Sequence, residues 1–200
     1  MTTIGWIQIL AYGLVLLLLT KPLGVYMFRV FEEERQPLPR FFGRIERFTY
    51  RLCGVDAKAE QGWTQYTLAL LAFSVIGLLI TYAILRLQHL LPFNPQGLAA
   101  VSPDLSFNTA ASFTTNTNWQ SYSGESTMSY LTQTAGLAWH NFISAAAGTG
   151  VALALARGLT RRPGPTGSKT LGNFWVDVIR SILYVLLPIS VIFALLFVSQ

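Results

Sequence analysis

The chain has 200 residues, of which 52% are hydrophobic and 12% are charged, a composition that excludes an ordinary soluble domain and is typical of membrane proteins. The net charge of +5 does not indicate nucleic-acid binding, because eight of the fourteen Lys and Arg residues fall within residues 21–58, five within 157–180 and none within 88–156. By the positive-inside rule, the two basic stretches predict cytoplasmic loops and place the amino terminus and residues 92–126 outside.

The first predicted element is an amino-terminal transmembrane helix within residues 1–30. Residues 4–20 carry no charge, and the stretch lacks the basic start and cleavage site of a signal peptide, so we expect it to be retained. Lys21 and Pro22 mark its inner end, although the apolar pattern continues to Val30.

A basic cytoplasmic loop is predicted over residues 31–62, with an amphipathic helix at 41–52. Four arginines spaced three or four apart share one face of that helix: Arg40, Arg44, Arg47 and Arg51. This face is interpreted either as a contact for anionic lipid or a partner subunit, or as a solvated face that only orients the protein. Cys53, the single cysteine, is expected to be a reduced bystander.

The second predicted span begins at Trp63 and ends where Pro92 and Pro95 break the helix. Arg86, near its outer end, is expected to play a structural role, either snorkelling to the interface or pairing inside the protein. His89 is interpreted as an ordinary surface group.

A short helix is predicted next, with Ser102 as N-cap, Pro103 at the first helical position and an end near Phe113. About twelve residues span roughly 18 Å, which is too short for the hydrocarbon core of a bilayer. The helix can enter the membrane but not cross it. Non-helical backbone at that depth survives only when it is buried in protein or lines a water-filled cavity.

A polar run without Lys or Arg follows, and residues 114–119 are predicted to form an ion-binding filter loop. The backbone carbonyls there and the hydroxyls of Thr115 and Thr117 are hard neutral oxygens that can replace the water shell of a monovalent cation. The half-helix is expected to aim its carboxyl-terminal carbonyls at the same point. The left-handed backbone conformation that such a loop uses is usually supplied by glycine. Since no glycine lies between Thr114 and Ser123, Asn116 or Asn118 is expected to adopt it instead. The alternative is an external loop whose Asn and Thr residues simply favour turns.

Residues 126–156, without a formal charge, predict the span that completes a helix, pore-loop, helix unit over 63–160. Thirteen of the 22 residues in 135–156 are Gly, Ala, Ser or Thr, which indicates close helix packing. His140 and Asn141 are expected to make interhelical hydrogen bonds rather than ion contacts, and Gly148 and Gly150 to permit bending. A basic stretch begins at Arg157, and a second cytoplasmic linker is predicted over 161–180. A last helix is predicted over 181–200, kinked at Pro188.

The motif Thr115-Asn116-Thr117-Asn118-Trp119-Gln120-Ser121-Tyr122-Ser123-Gly124-Glu125 resembles the first filter loop of the potassium-binding subunit of the bacterial Kdp-type potassium-transporting ATPase. The likeness extends to the Pro22-Leu23-Gly24 turn, the Leu91-Pro92-Phe93-Asn94-Pro95-Gln96 loop and Leu171-Gly172-Asn173-Phe174-Trp175-Val176-Asp177, and corresponds to the amino-terminal portion of that family. It implies an all-α membrane protein with an amino-terminal helix, one potassium-channel-like unit and the first helix of a second unit.

By the same resemblance, potassium is bound at Thr115, Asn116, Thr117 and Asn118, with supporting roles for Thr114, Trp119, Gln120, Ser123, Gly124 and Glu125. The family implies capture of extracytoplasmic potassium and its delivery to a P-type ATPase catalytic subunit, with small accessory membrane subunits completing the complex. It further implies a multi-pass protein of the bacterial inner membrane with its amino terminus outside, contacting lipid but no nucleic acid.

No cofactor is expected apart from potassium as the transported ligand, and the chain is predicted to be non-catalytic, since it contains no Gly-x-x-x-x-Gly-Lys-Ser/Thr loop. A filter needs oxygens from several sides and one filter loop is visible, so we expect the chain to be part of a longer polypeptide. One alternative is an ATP-independent potassium channel or symporter unit that assembles as an oligomer. Another, an intramembrane enzyme using His140, is disfavoured because no second histidine or nucleophile accompanies it on that helix.

Overall fold

The computed structural model describes residues 2–33, 40–161 and 170–199. Four helices in these ranges are long and apolar enough to cross a membrane: α1 (Thr3–Glu32), α3 (Trp63–Leu87), α6 (Thr132–Thr160) and α7 (Phe174–Val198). Three shorter helices lie between them: α2 (Arg40–Cys53), α4 (Pro103–Thr114) and α5 (Gly124–Thr127). The chain is therefore an all-α membrane protein, as the sequence predicts.

The chain divides into two compact units, Met1–Phe48 and Thr49–Gln200. In the first unit, α1 begins where the Thr2 side chain accepts a hydrogen bond from the Gly5 N–H, and it continues through Pro22 to Glu32. The predicted helical continuation beyond Lys21 and Pro22 is thus confirmed. The predicted amphipathic helix is also confirmed as α2. The side chains of Arg44, Arg47 and Arg51 on it are exposed, which leaves both interpretations of that face open.

In the second unit, α4 packs against α3 and α6, and α7 packs against α6 and α3. One hydrophobic cluster joins the start of α3 to the middle of α6 and the start of α7: Tyr66, Ala146, Ala147, Phe174 and Val178. A second cluster joins the end of α3 to α4 and the start of α6: Leu85, Val101, Phe113, Met128 and Leu137. The second cluster packs α4 against the end of α3 and the start of α6.

Small residues allow α3 and α6 to approach closely, as the composition of α6 predicts. A Cβ atom on Gly77 would lie 3.1 Å from the His140 Cε1 atom, and one on Gly150 would lie 3.1 Å from the Tyr66 hydroxyl. A Cβ on Gly148 would meet nothing within 4 Å. The first turns of α6, Thr132–Ala138, are π-helical, and the uncharged stretch predicted as one span is interrupted after α5 at Met128 and Ser129.

The last helix begins at Phe174. The start predicted from the sequence, Ser181, with a linker over 161–180, is therefore too late by seven residues. Asn173 caps this earlier start, because its side chain accepts hydrogen bonds from the Trp175 and Val176 N–H groups. The segment Ser181–Leu186 is π-helical and directly precedes Pro188, which supplies no N–H to the helix. Residues 162–169 of the predicted linker lie outside the described residues.

A buried ion pair explains why two charges lie inside the packed helices. Arg157, which the sequence analysis placed at the start of the linker, lies on α6 and is 6% exposed. Its Nη1 is 2.6 Å from Asp177 Oδ2, and its Nη2 is 3.0 Å from Asp177 Oδ1. The Tyr66 hydroxyl lies 2.9 Å from the same carboxylate. Because each charge is neutralised by a bidentate partner, both are accommodated where a hydropathy pattern would exclude them.

Candidate functional site

Helix α4 has the length, start and end expected of a helix that stops short of crossing a bilayer. It contains twelve residues, with Ser102 at the N-cap position and Pro103 in the first turn, although the Ser102 side chain makes no capping hydrogen bond. The Arg86 side chain instead supports this end by donating to the Val101 carbonyl. This contact confirms the structural role predicted for Arg86.

The chain folds back over the carboxyl end of α4 instead of leaving it. The N–H groups of Thr115 and Asn116 donate to the carbonyls of Ala111 and Phe113, at 3.0 and 3.2 Å. Those of Thr117 and Asn118 both donate to the Ser112 carbonyl, at 2.9 and 3.3 Å. The last carbonyls of α4 are therefore satisfied by the loop itself. The expectation that they point at a ligand does not hold for Ala111, Ser112 and Phe113.

This fold requires left-handed backbone at two places. Asn116 has a φ of 55° and Asn118 a φ of 58°, so both asparagines adopt the conformation predicted for one or the other. Asparagine tolerates this region better than other non-glycine residues because its short polar side chain bonds locally. With all four N–H groups turned toward α4, none of the described residues donates a hydrogen bond to the carbonyls of residues 115–118.

The loop's side chains add further neutral oxygens. The hydroxyls of Thr115 and Thr117 lie 2.8 Å apart, and the Asn118 amide nitrogen donates to Asn116 Oδ1 at 3.1 Å. The remaining oxygen of Asn118, Oδ1, is buried and has no hydrogen-bond partner among the described residues. Thr115, Asn116 and Thr117 are exposed. A group of neutral oxygens with unused acceptor capacity matches the chemistry of a monovalent-cation ligand set.

The predicted supporting residues separate into two groups. Thr114 and Trp119 lie at the base of the loop, where the Thr114 hydroxyl is 3.2 Å from His140 Nε2 and the Trp119 carbonyl accepts a hydrogen bond from Ser112. The others, Gln120, Ser123, Gly124 and Glu125, line a cavity of about 420 Å³ to which residues 115–118 do not contribute.

Glu125 is ionised in this setting. Its own backbone N–H and the Ser123 hydroxyl, which donates to Oε2 at 2.9 Å, lower the pKa of its carboxyl group. The structure does not bring this carboxylate to the Thr115 to Asn118 oxygens. Within the described ranges, no group of three or more His, Cys, Asp and Glu side chains is arranged to hold a metal ion. The loop is thus distinct from a carboxylate-based divalent site.

Comparison with known proteins gives a match over nearly the whole chain. Residues 10–200 match the family model of KdpA, described as potassium-transporting ATPase A subunit. The chain belongs to the KdpA family. It is 56% identical over 198 residues to the potassium-transporting ATPase potassium-binding subunit of Mesorhizobium japonicum, covering 99% of this chain and 34% of that protein. It is 57% identical over 200 residues to the protein of the same name from Methylobacterium nodulans, covering 100% of this chain and 34% of the relative. The chain thus spans about a third of the length of the curated relatives it matches.

In this KdpA-family chain, α6 carries two contacts to the loop, one expected and one missed. His140 is buried and bonds both Thr81 on α3 and Thr114 on α4, which confirms the predicted interhelical role. Asn141 is exposed and lines the cavity beside the loop. Ser144 was missed, although it follows His140 by four residues and its hydroxyl lies 3.4 Å from Asn116 Oδ1, as well as 3.3 Å from the Asn141 carbonyl. The spacing of four, which puts both side chains on one helix face, is the signal that could have found it.

Gln88 was also missed, and no local pattern marks it. Its side-chain nitrogen donates to the carbonyls of Ala99 and Thr127, at 2.6 and 2.9 Å. Its oxygen accepts from the Ser129 N–H and the Thr132 hydroxyl, at 3.0 and 3.1 Å. This buried amide joins the chain segments on both sides of residues 115–125, and only the fold brings its partners together.

Proposed function

We propose that this chain binds potassium from the extracytoplasmic side through the backbone carbonyls of Thr115, Asn116, Thr117 and Asn118, together with the hydroxyl oxygen of Thr117. The observation that carries the proposal is the opposite use of the two backbone polar groups. The N–H groups of the four residues are bonded to α4 while their carbonyls accept nothing within the described part of the chain. A bound alkali ion supplies the partner that these oxygens lack.

The chemistry of the loop favours a monovalent cation. Its oxygens are neutral, and Glu125, the nearest carboxylate in sequence, belongs to the neighbouring cavity. A divalent ion usually recruits carboxylates, whereas carbonyl and hydroxyl oxygens replace the weaker hydration shell of potassium. The unpartnered Oδ1 of Asn118 adds one more candidate ligand. The printed names of the relatives, which describe a potassium-binding subunit, support the choice of potassium.

The ion site is completed elsewhere in the assembled protein. One loop supplies oxygens from one side, while a selective site needs them from several sides. Thr115, Asn116 and Thr117 are exposed, which leaves room for oxygens from other segments of the assembled protein to reach the same ion. The curated relatives are longer than these 200 residues, since the chain covers 34% of their length.

The proposed setting is uptake driven by ATP. The relatives are named as parts of a potassium-transporting ATPase, so we assign this chain to a complex in which a P-type subunit hydrolyses ATP and small membrane subunits assist. The chain itself is non-catalytic and passes the ion on. We assign it to the bacterial inner membrane with its amino terminus outside, an orientation that the basic residues at 21–58 and 157–180 support through the positive-inside rule.

The test substitutes one loop hydroxyl in the complete transport complex. Thr117→Ala removes the oxygen 2.8 Å from Thr115 Oγ1, and Thr149→Ala is the matched control because its hydroxyl bonds only within α6, to the Ala145 carbonyl. Isothermal titration is expected to give about tenfold weaker potassium binding for Thr117→Ala, the loss equivalent to one modest polar contact. The control is expected to bind like the unsubstituted protein. Equal potassium affinity in both variants would reject the loop as the site.

A further inference from the structure

We infer that His140 and Ser144 form a clamp on α6 that sets the position of the filter loop and thereby its discrimination between potassium and other alkali ions. This inference rests on the proposed potassium site at residues 115–118. His140 is assigned as a positioning residue that acts through Thr114, without touching the ion.

Both ring nitrogens of His140 are used, and they reach two different helices. Nδ1 lies 2.5 Å from the Thr81 hydroxyl on α3, and Nε2 lies 3.2 Å from the Thr114 hydroxyl at the end of α4. The side chain is 2% exposed, so water does not compete for either contact. Gly77 leaves the space in which the ring lies, since a Cβ there would be 3.1 Å from Cε1. The close fit against Gly77 holds the imidazole in place on α6, and the Nδ1 contact adds a link to α3.

Thr114 transmits that fixed position to the backbone that carries the filter oxygens. It is the last residue of α4 and is followed directly by Thr115. His140 is the one partner of its hydroxyl among the described residues. Losing this contact frees the last turn of α4 on the side that faces α6.

Ser144 holds the loop at a second point. It lies one turn beyond His140 on the same face of α6, and its hydroxyl lies 3.4 Å from Asn116 Oδ1 and 3.3 Å from the Asn141 carbonyl of its own helix. Its single proton serves the clamp when the hydroxyl is turned toward Asn116. Asn116 is one of the two residues in left-handed backbone, so its orientation determines where the neighbouring carbonyls point. The clamp therefore fixes two alternate residues of the loop, Thr114 and Asn116, from one rigid helix.

A loop held at two points from a packed helix resists adjusting to an ion of another size. The hydrogen bonds from the loop to α4 fix its N–H groups, whereas the α6 contacts fix its side chains. Ligand geometry is most precise where neighbouring groups lock the residues that present the ligands. The expected consequence of weakening the clamp is a change in ion preference larger than the change in stability.

The alternative is that His140 only packs α3, α4 and α6 together. The two contacts of its ring separate these possibilities. Thr81→Val keeps the shape of the side chain and removes the contact to Nδ1, which belongs to helix packing alone. Thr114→Val keeps the shape and removes the contact to Nε2, which belongs to the clamp.

The experiment uses the complete transport complex and measures potassium and rubidium binding by isothermal titration, together with the melting temperature of each variant. His140→Ala and Thr114→Val are expected to lower the ratio of potassium to rubidium affinity about five- to tenfold, the fold-change that corresponds to one hydrogen bond. Ser144→Ala is expected to change the ratio in the same direction by less. His140→Gln, whose amide can still reach Thr114, restores most of the ratio. Thr81→Val lowers the melting temperature and leaves the ratio unchanged.

Two outcomes overturn the inference. The first is an unchanged ratio in His140→Ala with a melting temperature lowered as much as in Thr81→Val, which would make His140 a packing residue. The second applies if His140→Ala does not assemble: an unchanged ratio in both Thr114→Val and Ser144→Ala then rejects the clamp. Thr117→Ala, measured in parallel, separates this failure from that of the proposed function. If the proposed potassium site is wrong, Thr117→Ala binds potassium normally; if only the clamp is wrong, Thr117→Ala still binds potassium more weakly.

Discussion

At the scale of single residues, the loop depends on two asparagines that do the work glycine does elsewhere. The lack of glycine between Thr114 and Ser123 was enough to predict left-handed backbone at Asn116 or Asn118, and both adopt it. What the sequence could not reveal is the direction of the N–H groups. They bond the carbonyls of Ala111, Ser112 and Phe113 near the end of α4, so those carbonyls are used while the carbonyls of residues 115–118 accept nothing within the described residues. A hydrogen-bond register of this kind depends on the closing angle of the loop, which no residue pattern encodes.

The paired substitutions Asn118→Gly and Asn118→Ala separate backbone from side chain. Both remove the unpartnered Oδ1, but only alanine is strained at a φ of 58°. The strain of about 1–2 kcal/mol is expected to make Asn118→Ala bind potassium roughly tenfold more weakly than Asn118→Gly in isothermal titration of the complete complex. Equal affinities in the two variants would show that backbone conformation at this position does not matter for the ion.

At the scale of elements, the positions of the helices could be predicted where a local sequence signal, such as helical periodicity or an uninterrupted apolar stretch, determines them. The length of α4, the run of α1 past Pro22 and the amphipathic α2 all follow from such local signals. The start of α7 did not, because Asp177 and Arg180 look like linker charges until Arg157 is known to lie beside Asp177. A hydropathy pattern treats each charge as unpaired, and pairing between residues twenty positions apart appears only in three dimensions.

The pair Arg157 and Asp177 is expected to stabilise the second unit far more than a surface pair does. Arg157→Ala removes the bidentate cationic partner of the buried Asp177 carboxylate, so we expect a loss of about 3–5 kcal/mol in the free energy of unfolding. The matched control is Arg161→Ala, whose contact with Glu60 at 3.1 Å is solvent-exposed and is expected to be worth at most about 1 kcal/mol. Thermal unfolding in detergent measures both. A similar small loss in the two variants would contradict the assigned role of the buried pair.

Gln88 is expected to hold together the segments that flank residues 115–125. Gln88→Leu leaves the buried Ser129 N–H without its partner, at a cost of about 1–3 kcal/mol, and also removes the donor to the part-buried Ala99 and Thr127 carbonyls. We expect faster proteolysis between α3 and α4 and a lower melting temperature. His89→Ala, at the exposed neighbouring position, is the control and should change neither. Unaltered proteolysis of Gln88→Leu would show that other contacts suffice.

At the scale of the whole molecule, the distribution of charge predicts which loops face the cytoplasm. Four apolar helices and the membership of the KdpA family agree with a multi-pass protein, but its orientation rests on the positive-inside rule alone. The predicted division of the chain into domains also stays a prediction. Residues 162–169, which form part of the second basic linker, lie outside the described residues. The loop charges set the orientation when the chain is inserted into the membrane. The packing of the helices does not depend on that orientation and therefore does not reveal it.

Cys53 provides a topology test, because it is exposed and is the single cysteine of these 200 residues. In the complete protein with any other cysteines replaced, a membrane-impermeant maleimide applied to intact cells should leave Cys53 unmodified and should modify a cysteine introduced by Ser121→Cys. Labelling in inverted vesicles should give the opposite result. Reaction of Cys53 in intact cells would place the first basic loop outside and reverse the proposed orientation.

The carbonyls of residues 115–118, which accept no hydrogen bond within the described residues, are proposed to bind a dehydrated alkali ion. This is tested most directly by an anomalous difference map from crystals of the complete complex in which rubidium replaces potassium, since rubidium is located by its own scattering. We expect a rubidium peak in direct contact with the carbonyl oxygens of Thr115 to Asn118. A complex that binds rubidium in solution but shows its peak away from this loop would contradict it.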